Sequence, residues 1–364
     1  MKLLYITNAI KGAGGLERVL AIKASYLADV LGYEVHILVL NHNNDSVFYE
    51  FSPSIILHDI EVFGNPWQYI KRYVSGIKEV VRKVKPNVIS VCDDGLKGFF
   101  VPKFLSGKTP IIYERHVSKI IELGLHPSFS KKTITAVKFL CMNYLAKSFD
   151  RFVVLTQDNI AEWNIKNLTV IPNPLSFYPE SSSSLQHKKV IAVGKQGVQK
   201  GYDRLLNSWK IVHDKHNDWE LNIYGEFEVS GNLERQAKHL NIEHSVHFYK
   251  PVKNIKDKFL ASDIFAFSSR FEGFGMVLIE AMACGVPCVS FDCPCGPSEI
   301  IQNNEDGFLV ENGNTQLFAE KILQLIENPM LRMEMGTKAK ENVKRFLPEF
   351  VMPQWDNLFK ELMQ

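Results

Sequence analysis

The apolar positions of this chain fall into short unbroken runs, each closed by a glycine-rich or polar turn, with stretches of helical period between them. Residues 2–7 predict a strand. The loop Asn8-Ala9-Ile10-Lys11-Gly12-Ala13-Gly14-Gly15 follows, then a helix over 16–31 and a strand over 34–40. Strand, glycine loop, helix, strand opens a doubly wound α/β unit, whose parallel strands are covered on both faces and so read as continuous apolar runs. A helix over 67–84 and strands over 87–92, 110–113 and 151–155 continue the pattern. After the rigid exit Ile171-Pro172-Asn173-Pro174 and the polar linker Pro179-Glu180-Ser181-Ser182-Ser183-Ser184, the plan starts again. The second half carries a strand over 189–193, a glycine loop over 194–201 and a helix over 203–213. Strands over 220–224, 246–249, 264–268, 288–291 and 307–310 come next, with helices over 233–240 and from 315 onward. Pro353 is expected to break or kink the last helix, and its stripe of Trp355, Leu358, Phe359 and Leu362 needs an apolar partner, for which the first half is available.

A length of 364 residues exceeds what one core serves, in line with two domains, here 1–178 and 185–345, and a helical tail over 346–364 that crosses back. An apolar fraction of 46% and a charged fraction of 23% suit a globular enzyme, and a net charge of +2 argues against nucleic acid as a partner. The opening Leu3-Leu4-Tyr5-Ile6 is too short for a leader and turns polar at Thr7-Asn8, and no apolar run approaches the ~20 residues of a membrane span. Of the six cysteines, Cys284, Cys288, Cys293 and Cys295 crowd together, but their spacing is no pair of CxxC motifs and no histidine stands among them. Structural thiols, no metal and a cytoplasmic location are the expectation.

The densest chemistry lies in Phe271-Glu272-Gly273-Phe274-Gly275-Met276, which runs into the apolar stretch ending at Cys284-Gly285-Val286-Pro287. Gly273 and Gly275 suit a ligand-facing turn, and the stretch reads as a helix buried all round, with Gly285 as its stop. Glu280 is its only charge, costly to bury unless bound, and Glu272 precedes a helix start that favours anions. Roughly 7–8 Å of helical rise separates them, which suits two acceptors gripping different hydroxyls of one ligand better than a proton-sharing pair. Lys195 and Lys200 bracket the second glycine loop at a strand's carboxyl end, a place for a diphosphate. His116 follows Glu114-Arg115 at the end of another strand. The helix over 67–84 carries Lys71, Arg72, Lys78, Arg82 and Lys83, and the stretch over 118–149 carries Lys119, Lys131, Lys132, Lys138 and Lys147. Each is either a solvated face or a face for anionic membrane.

Glu272 and Glu280, eight apart around Glu-Gly-Phe-Gly, resemble the E-x7-E signature of the retaining glycosyltransferases of family 4. The resemblance extends over nearly the whole chain, through Gly14-Gly15, His116, Ile171-Pro172-Asn173-Pro174, the Lys195…Lys200 loop and the turn at Gly307. It implies the GT-B fold, two Rossmann-like doubly wound domains facing a central cleft, with the acceptor on the first and the nucleotide sugar on the second. It implies transfer of a hexose or N-acetylhexosamine from a UDP-sugar to a glycan or lipid-linked glycan in surface polysaccharide assembly, at the inner membrane face. Lys195 and Lys200 would neutralise the diphosphate, aided by Gly225 and by backbone at Phe274, Gly275 and Met276. Glu280 would accept from the ribose, Glu272 from the sugar, and His116 and Gly14-Gly15 would close over the sugar. No cofactor or metal is implied. The chain departs from the family in having Lys195 where Arg is usual, and Gly225-Glu226-Phe227 where Gly-x-Gly is usual.

Two other activities use related folds. A nicotinamide oxidoreductase is disfavoured because Glu17 replaces the third glycine of the fingerprint and Asn41 stands where an acidic ribose ligand belongs. A sugar-nucleotide epimerase shares the GT-B plan and would act without an acceptor. A silent sugar-nucleotide-binding partner is opposed by the intact glutamates, lysines and histidine.

Overall fold

The protein is described here from a computed structural model, which covers residues 1–43, 45–93, 95–105, 107–122, 124, 128–227 and 231–364. Parts of the basic stretch over 118–149, namely Leu123 and residues 125–127, lie outside the described residues. Two compact units emerge. One is built from the described residues of 1–122, 128–176 and 348–364, the other from 177–347.

The first unit runs β1 (Lys2–Thr7), α1 (Gly15–Asp29), β2 (Glu34–Leu40), β3 (Ile56–Ile60), α2 (Pro66–Val84), β4 (Val88–Cys92), α3 (Val101–Phe104), β5 (Ile111–Glu114), α4 (Phe129–Ala146), β6 (Arg151–Val154) and β7 (Leu168–Val170). Its seven strands are all parallel and ordered β3-β2-β1-β4-β5-β6-β7. Alternation explains the unbroken apolar strands. Leu4 and Ile6 join a core with Tyr73, Ile77 and Val80 of α2, while Leu3 and Tyr5 join another with Leu20, Ala24 and Leu27 of α1.

The second unit runs β8 (Lys189–Val193), α5 (Tyr202–His213), β9 (Glu220–Tyr224), α6 (Asn232–His239), β10 (Val246–Tyr249), α7 (Ile255–Leu260), β11 (Ile264–Phe267), α8 (Met276–Ala283), β12 (Cys288–Asp292), α9 (Pro297–Ile300), β13 (Gly307–Glu311), α10 (Thr315–Glu327) and α11 (Pro329–Asn342). Its six parallel strands follow the same order, β10-β9-β8-β11-β12-β13. The doubly wound expectation thus holds for both halves. In such sheets ligands collect where the order reverses, outside the carboxyl ends of the two central strands. In the second unit those are β8 and β11, which lead into the Lys195…Lys200 loop and into Glu272.

Two expectations need correction. The strand pattern missed β3 and β7, both on sheet edges. Ile56 and Leu57 are nearly half exposed, and β7 is three residues long, so neither shows a core-facing run. Pro353 does not break the final helix, α12 (Pro348–Glu361). It stands in the second turn, where its ring gives up a single backbone hydrogen bond while Val351, Met352, Trp355, Leu358 and Phe359 are buried against α1 and the first sheet. The basic helix α2 is capped as a helix should be, with Asn65 and Gln68 exchanging hydrogen bonds around Pro66. Its apolar stripe of Tyr73, Ile77, Val80 and Val84 faces the core, so its lysines and arginines form a solvated face.

Candidate active site

In the second unit the backbone brings two loops together. The Arg270 N–H donates to the Gln199 carbonyl at 2.8 Å, and Ser268 Oγ–H to the Lys200 carbonyl at 2.8 Å. The Arg270 guanidinium grips both oxygens of Asp203, at 2.7 and 2.6 Å, a planar fork that only arginine offers. Glycine makes the approach feasible. A Cβ on Gly225 would stand 1.9 Å from the Gly194 carbonyl oxygen, so the β9 turn can rest on the β8 turn only without a side chain. Gly275, at φ 106°, supplies the left-handed step into α8.

The result is a contact that joins the two motifs. Lys200 Nζ lies 2.7 Å from Glu272 Oε1, with the side chains only 18% and 8% exposed. Gln199 Nε2 donates to the Phe271 carbonyl at 3.2 Å and to Glu272 Oε2 at 3.4 Å. Each charge of this half-buried pair offsets the cost of burying the other, so removing one alone is expensive. Lys195 lies elsewhere. It is 76% exposed and pairs with Glu226 at 2.9 Å, a surface contact of small energetic weight. The bracketing lysines are therefore unequal, and Lys200 holds the enclosed position.

The helix α8 is buried nearly all round and Gly285, at φ 69°, ends it, as the pattern indicates. Phe274 is buried and meets Phe346 edge-on, and Met276 is buried at the first turn. Glu280 is enclosed completely, so a hydroxyl reaches its carboxylate only when neighbouring side chains give way. Burial, reinforced by Glu280, pushes the Cys284 thiol up to about 12. Cys293 is also raised by burial and by Glu272, so both stay protonated and neither offers a thiolate.

The first unit holds a separate polar cluster. His116, just after β5, has Nε2 3.3 Å from Glu114 Oε2. The Glu114 carboxylate also receives Ser90 Oγ–H at 2.6 Å on Oε1 and the Lys23 ammonium on Oε2. Burial alone would raise the Glu114 carboxyl, but Lys23 and His116 outweigh it and hold it down at about 2. Cys92, Glu114 and His116 stand close enough together to suggest a cation site. The donor set argues otherwise, since Lys23 already supplies the positive charge and burial pushes the Cys92 thiol up. At the first glycine loop, a Cβ on Gly12 or Gly14 would come within 2.5 Å of a Glu17 carboxylate oxygen, so that side chain lies back across the loop. Arg18 reaches the Tyr49 hydroxyl at 2.7 Å, which in turn donates to the Ala13 carbonyl at 3.0 Å. Gly15 opens α1 with free space at its α-carbon. Sequence reasoning missed Lys23, Ser90 and Tyr49. Lys23 did leave a signal, a lysine within the apolar repeat Val19, Leu20, Ala24, Leu27.

The family Glycosyl transferases group 1 matches residues 178–342. Along the whole chain, N-acetyl-alpha-D-glucosaminyl L-malate synthase of Bacillus anthracis is 32% identical over 356 residues, covering 92% of this chain and 90% of that protein. The chain belongs to the group 1 glycosyltransferases. Another relative of this glycosyltransferase is the amylovoran biosynthesis glycosyltransferase AmsD of Erwinia amylovora, 29% identical over 385 residues, with 98% of this chain and 99% of that one covered. Among solved structures, Anabaena HepE in complex with UDP-glucose superposes with a TM-score of 0.80 at 19% identity, over 99% of this chain and 100% of that one. That likeness shows the fold, which is GT-B.

Proposed function

We propose that this glycosyltransferase is a retaining enzyme of family 4. It transfers a hexose or N-acetylhexosamine from a UDP-sugar to a hydroxyl of a glycan or lipid-linked glycan, in surface polysaccharide or glycoconjugate assembly. The naming of AmsD for amylovoran biosynthesis and the UDP-glucose bound to HepE support the substrate classes. The observation that carries the reading is the Lys200–Glu272 pair at the carboxyl ends of β8 and β11. A diphosphate entering there takes Lys200 as its counter-ion, and Glu272, released, accepts from hydroxyls of the donor sugar. In this reading Glu272 and Glu280 form the E-x7-E pair.

Transfer then needs little covalent help from the protein. The acceptor oxygen forms its bond to the anomeric carbon on the face from which the diphosphate oxygen departs, and the acceptor proton passes to that departing oxygen. Lys200 and the backbone at Phe274, Gly275 and Met276 stabilise the developing negative charge, so a fixed ammonium does the work that a divalent cation does elsewhere. Lys195, at the rim, adds long-range attraction for the donor, and Gly225 lets the β9 turn seat beneath it. Residues 185–345 form the donor domain and residues 1–178 the acceptor domain, with His116 and Gly14-Gly15 as ligand-facing groups and 346–364 as a supporting tail. The exposed apolar face of α4 supports peripheral contact with anionic membrane, where a lipid-linked acceptor would lie.

The test is Glu272→Gln with transfer and binding measured side by side. Turnover is expected to fall at least about tenfold, while UDP binds as well or better because Lys200 has lost a competing partner. NMR of the product from the unmodified enzyme is expected to show the donor's anomeric configuration. Full turnover in the variant, or an inverted product, overturns the reading.

A further inference from the structure

Glu114 is a carboxylate with almost no solvent, and each of its bonds comes from a different element. Lys23 arrives from α1 with its side chain 1% exposed, Ser90 from β4, and His116 from the segment after β5. The Lys23 ammonium lies 3.5 Å from the centre of the Trp355 ring of α12 and 5.5 Å from that of Tyr5 of β1. The other titratable groups facing Glu114 are neutral: burial, then Glu114 itself, pushes both Tyr5 and Cys92 up. Positive charge at this carboxylate therefore comes from Lys23 or from His116.

A buried ion pair of this kind is a poor source of stability, because well-packed apolar residues usually do as well. It does fix geometry and charge. With Lys23 balancing Glu114, the carboxylate is fixed in place and holds the His116 ring through Nε2.

We propose that Lys23 and Glu114 act as a positioning pair that sets the ring orientation of His116, so that the imidazole faces the ligand side of the first unit in one fixed orientation. The inference rests on the reading of His116 as a ligand-facing group, and it extends that reading to two residues that touch no substrate. Lys23 serves as the counter-charge of the carboxylate. The Trp355 ring keeps that counter-charge in place from the C-terminal helix.

The experiment is an NMR titration of His116 in the full-length enzyme and in two variants, with the pH profile of transfer recorded in parallel. Lys23→Met removes the counter-charge, so Glu114 draws a proton onto the ring and His116 titrates at a pH about one unit higher or more. Glu114→Gln is nearly isosteric and acts in the opposite sense, since the ring then faces Lys23 without a carboxylate, and His116 titrates at a lower pH. Should Lys23→Met fail to fold, Glu114→Gln alone decides the matter. Shifts in these two directions support the pair, and an unmoved His116 titration in the folded variants overturns it. The transfer profile tests the other reading separately. If the titration moves and the acid limb of transfer does not move with it, the positioning pair stands and the assignment of His116 to the reaction fails.

Discussion

At Lys200 the ammonium has given up most of its water for one carboxylate, in a turn where two loops are joined by a backbone hydrogen bond and by the Ser268 hydroxyl. An anion with more charge than Glu272 can replace it there without moving the backbone, and that exchange is the core of the proposed donor binding. The seat depends on contacts too close for a side chain. Gly225→Ala would press a methyl group into the Gly194 carbonyl, so the β8 turn carrying Lys195 and Lys200 has to move. The expected cost is about 1–3 kcal/mol, read as a lower Tm, together with weaker UDP binding. Unchanged Tm and Kd would show that the two turns do not depend on each other. Glu272, Glu280 and Lys200 were legible in the sequence because each sits in a local pattern of glycines and apolar residues. The pairing of Lys23 with Glu114 was not, because it spans 91 residues: the lysine inside an apolar repeat marks Lys23 as unusual but does not name Glu114 as its partner.

The helices α2 and α4 both mix basic with apolar residues and diverge once folded. The apolar stripe of α2 is spent on the core, whereas α4 leaves Phe129, Ile134, Val137, Leu140 and Tyr144 between 62% and 87% exposed. Lys131 and Lys132 lie exposed on the same helix, and Lys147 just past its end. Apolar side chains flanked by lysines match an anionic lipid surface better than water. Vesicles with anionic lipid are therefore expected to pellet the enzyme, less so in high salt. Phe129→Ser with Leu140→Ser should weaken that at least about tenfold, because each lost side chain is worth roughly 1.5–3 kcal/mol of transfer. Equal pelleting by neutral vesicles, or by the double variant, would contradict the assignment. Periodicity could not separate these helices, since it reports that an apolar face exists and not what covers it. The same limit hid β3 and β7, whose edge positions remove the core-facing run that marks a strand. Nor does periodicity weigh packing: α12 runs on through Pro353, where burial outweighs one missing hydrogen bond.

At the scale of the molecule, the two units repeat one strand order, β10-β9-β8-β11-β12-β13 matching the first six positions of β3-β2-β1-β4-β5-β6-β7. The repeat was visible in the sequence as two strand–glycine loop–helix openings, because a buried parallel strand must be apolar throughout and the turn after it must be small. The chemistry placed at the two reversals differs. One unit presents an enclosed lysine–glutamate pair suited to a diphosphate and sugar hydroxyls, the other a histidine held by a buried carboxylate. No described helix is long and apolar enough to cross a membrane. The central claim, that the second unit binds a nucleotide diphosphate through Lys200, is tested most directly by calorimetric titration of UDP into the full-length enzyme and into Lys200→Ala. Loss of one charge-assisted contact predicts a Kd raised about tenfold or more in the variant. Equal affinity in the two proteins, or no UDP binding by the unmodified enzyme, would contradict it.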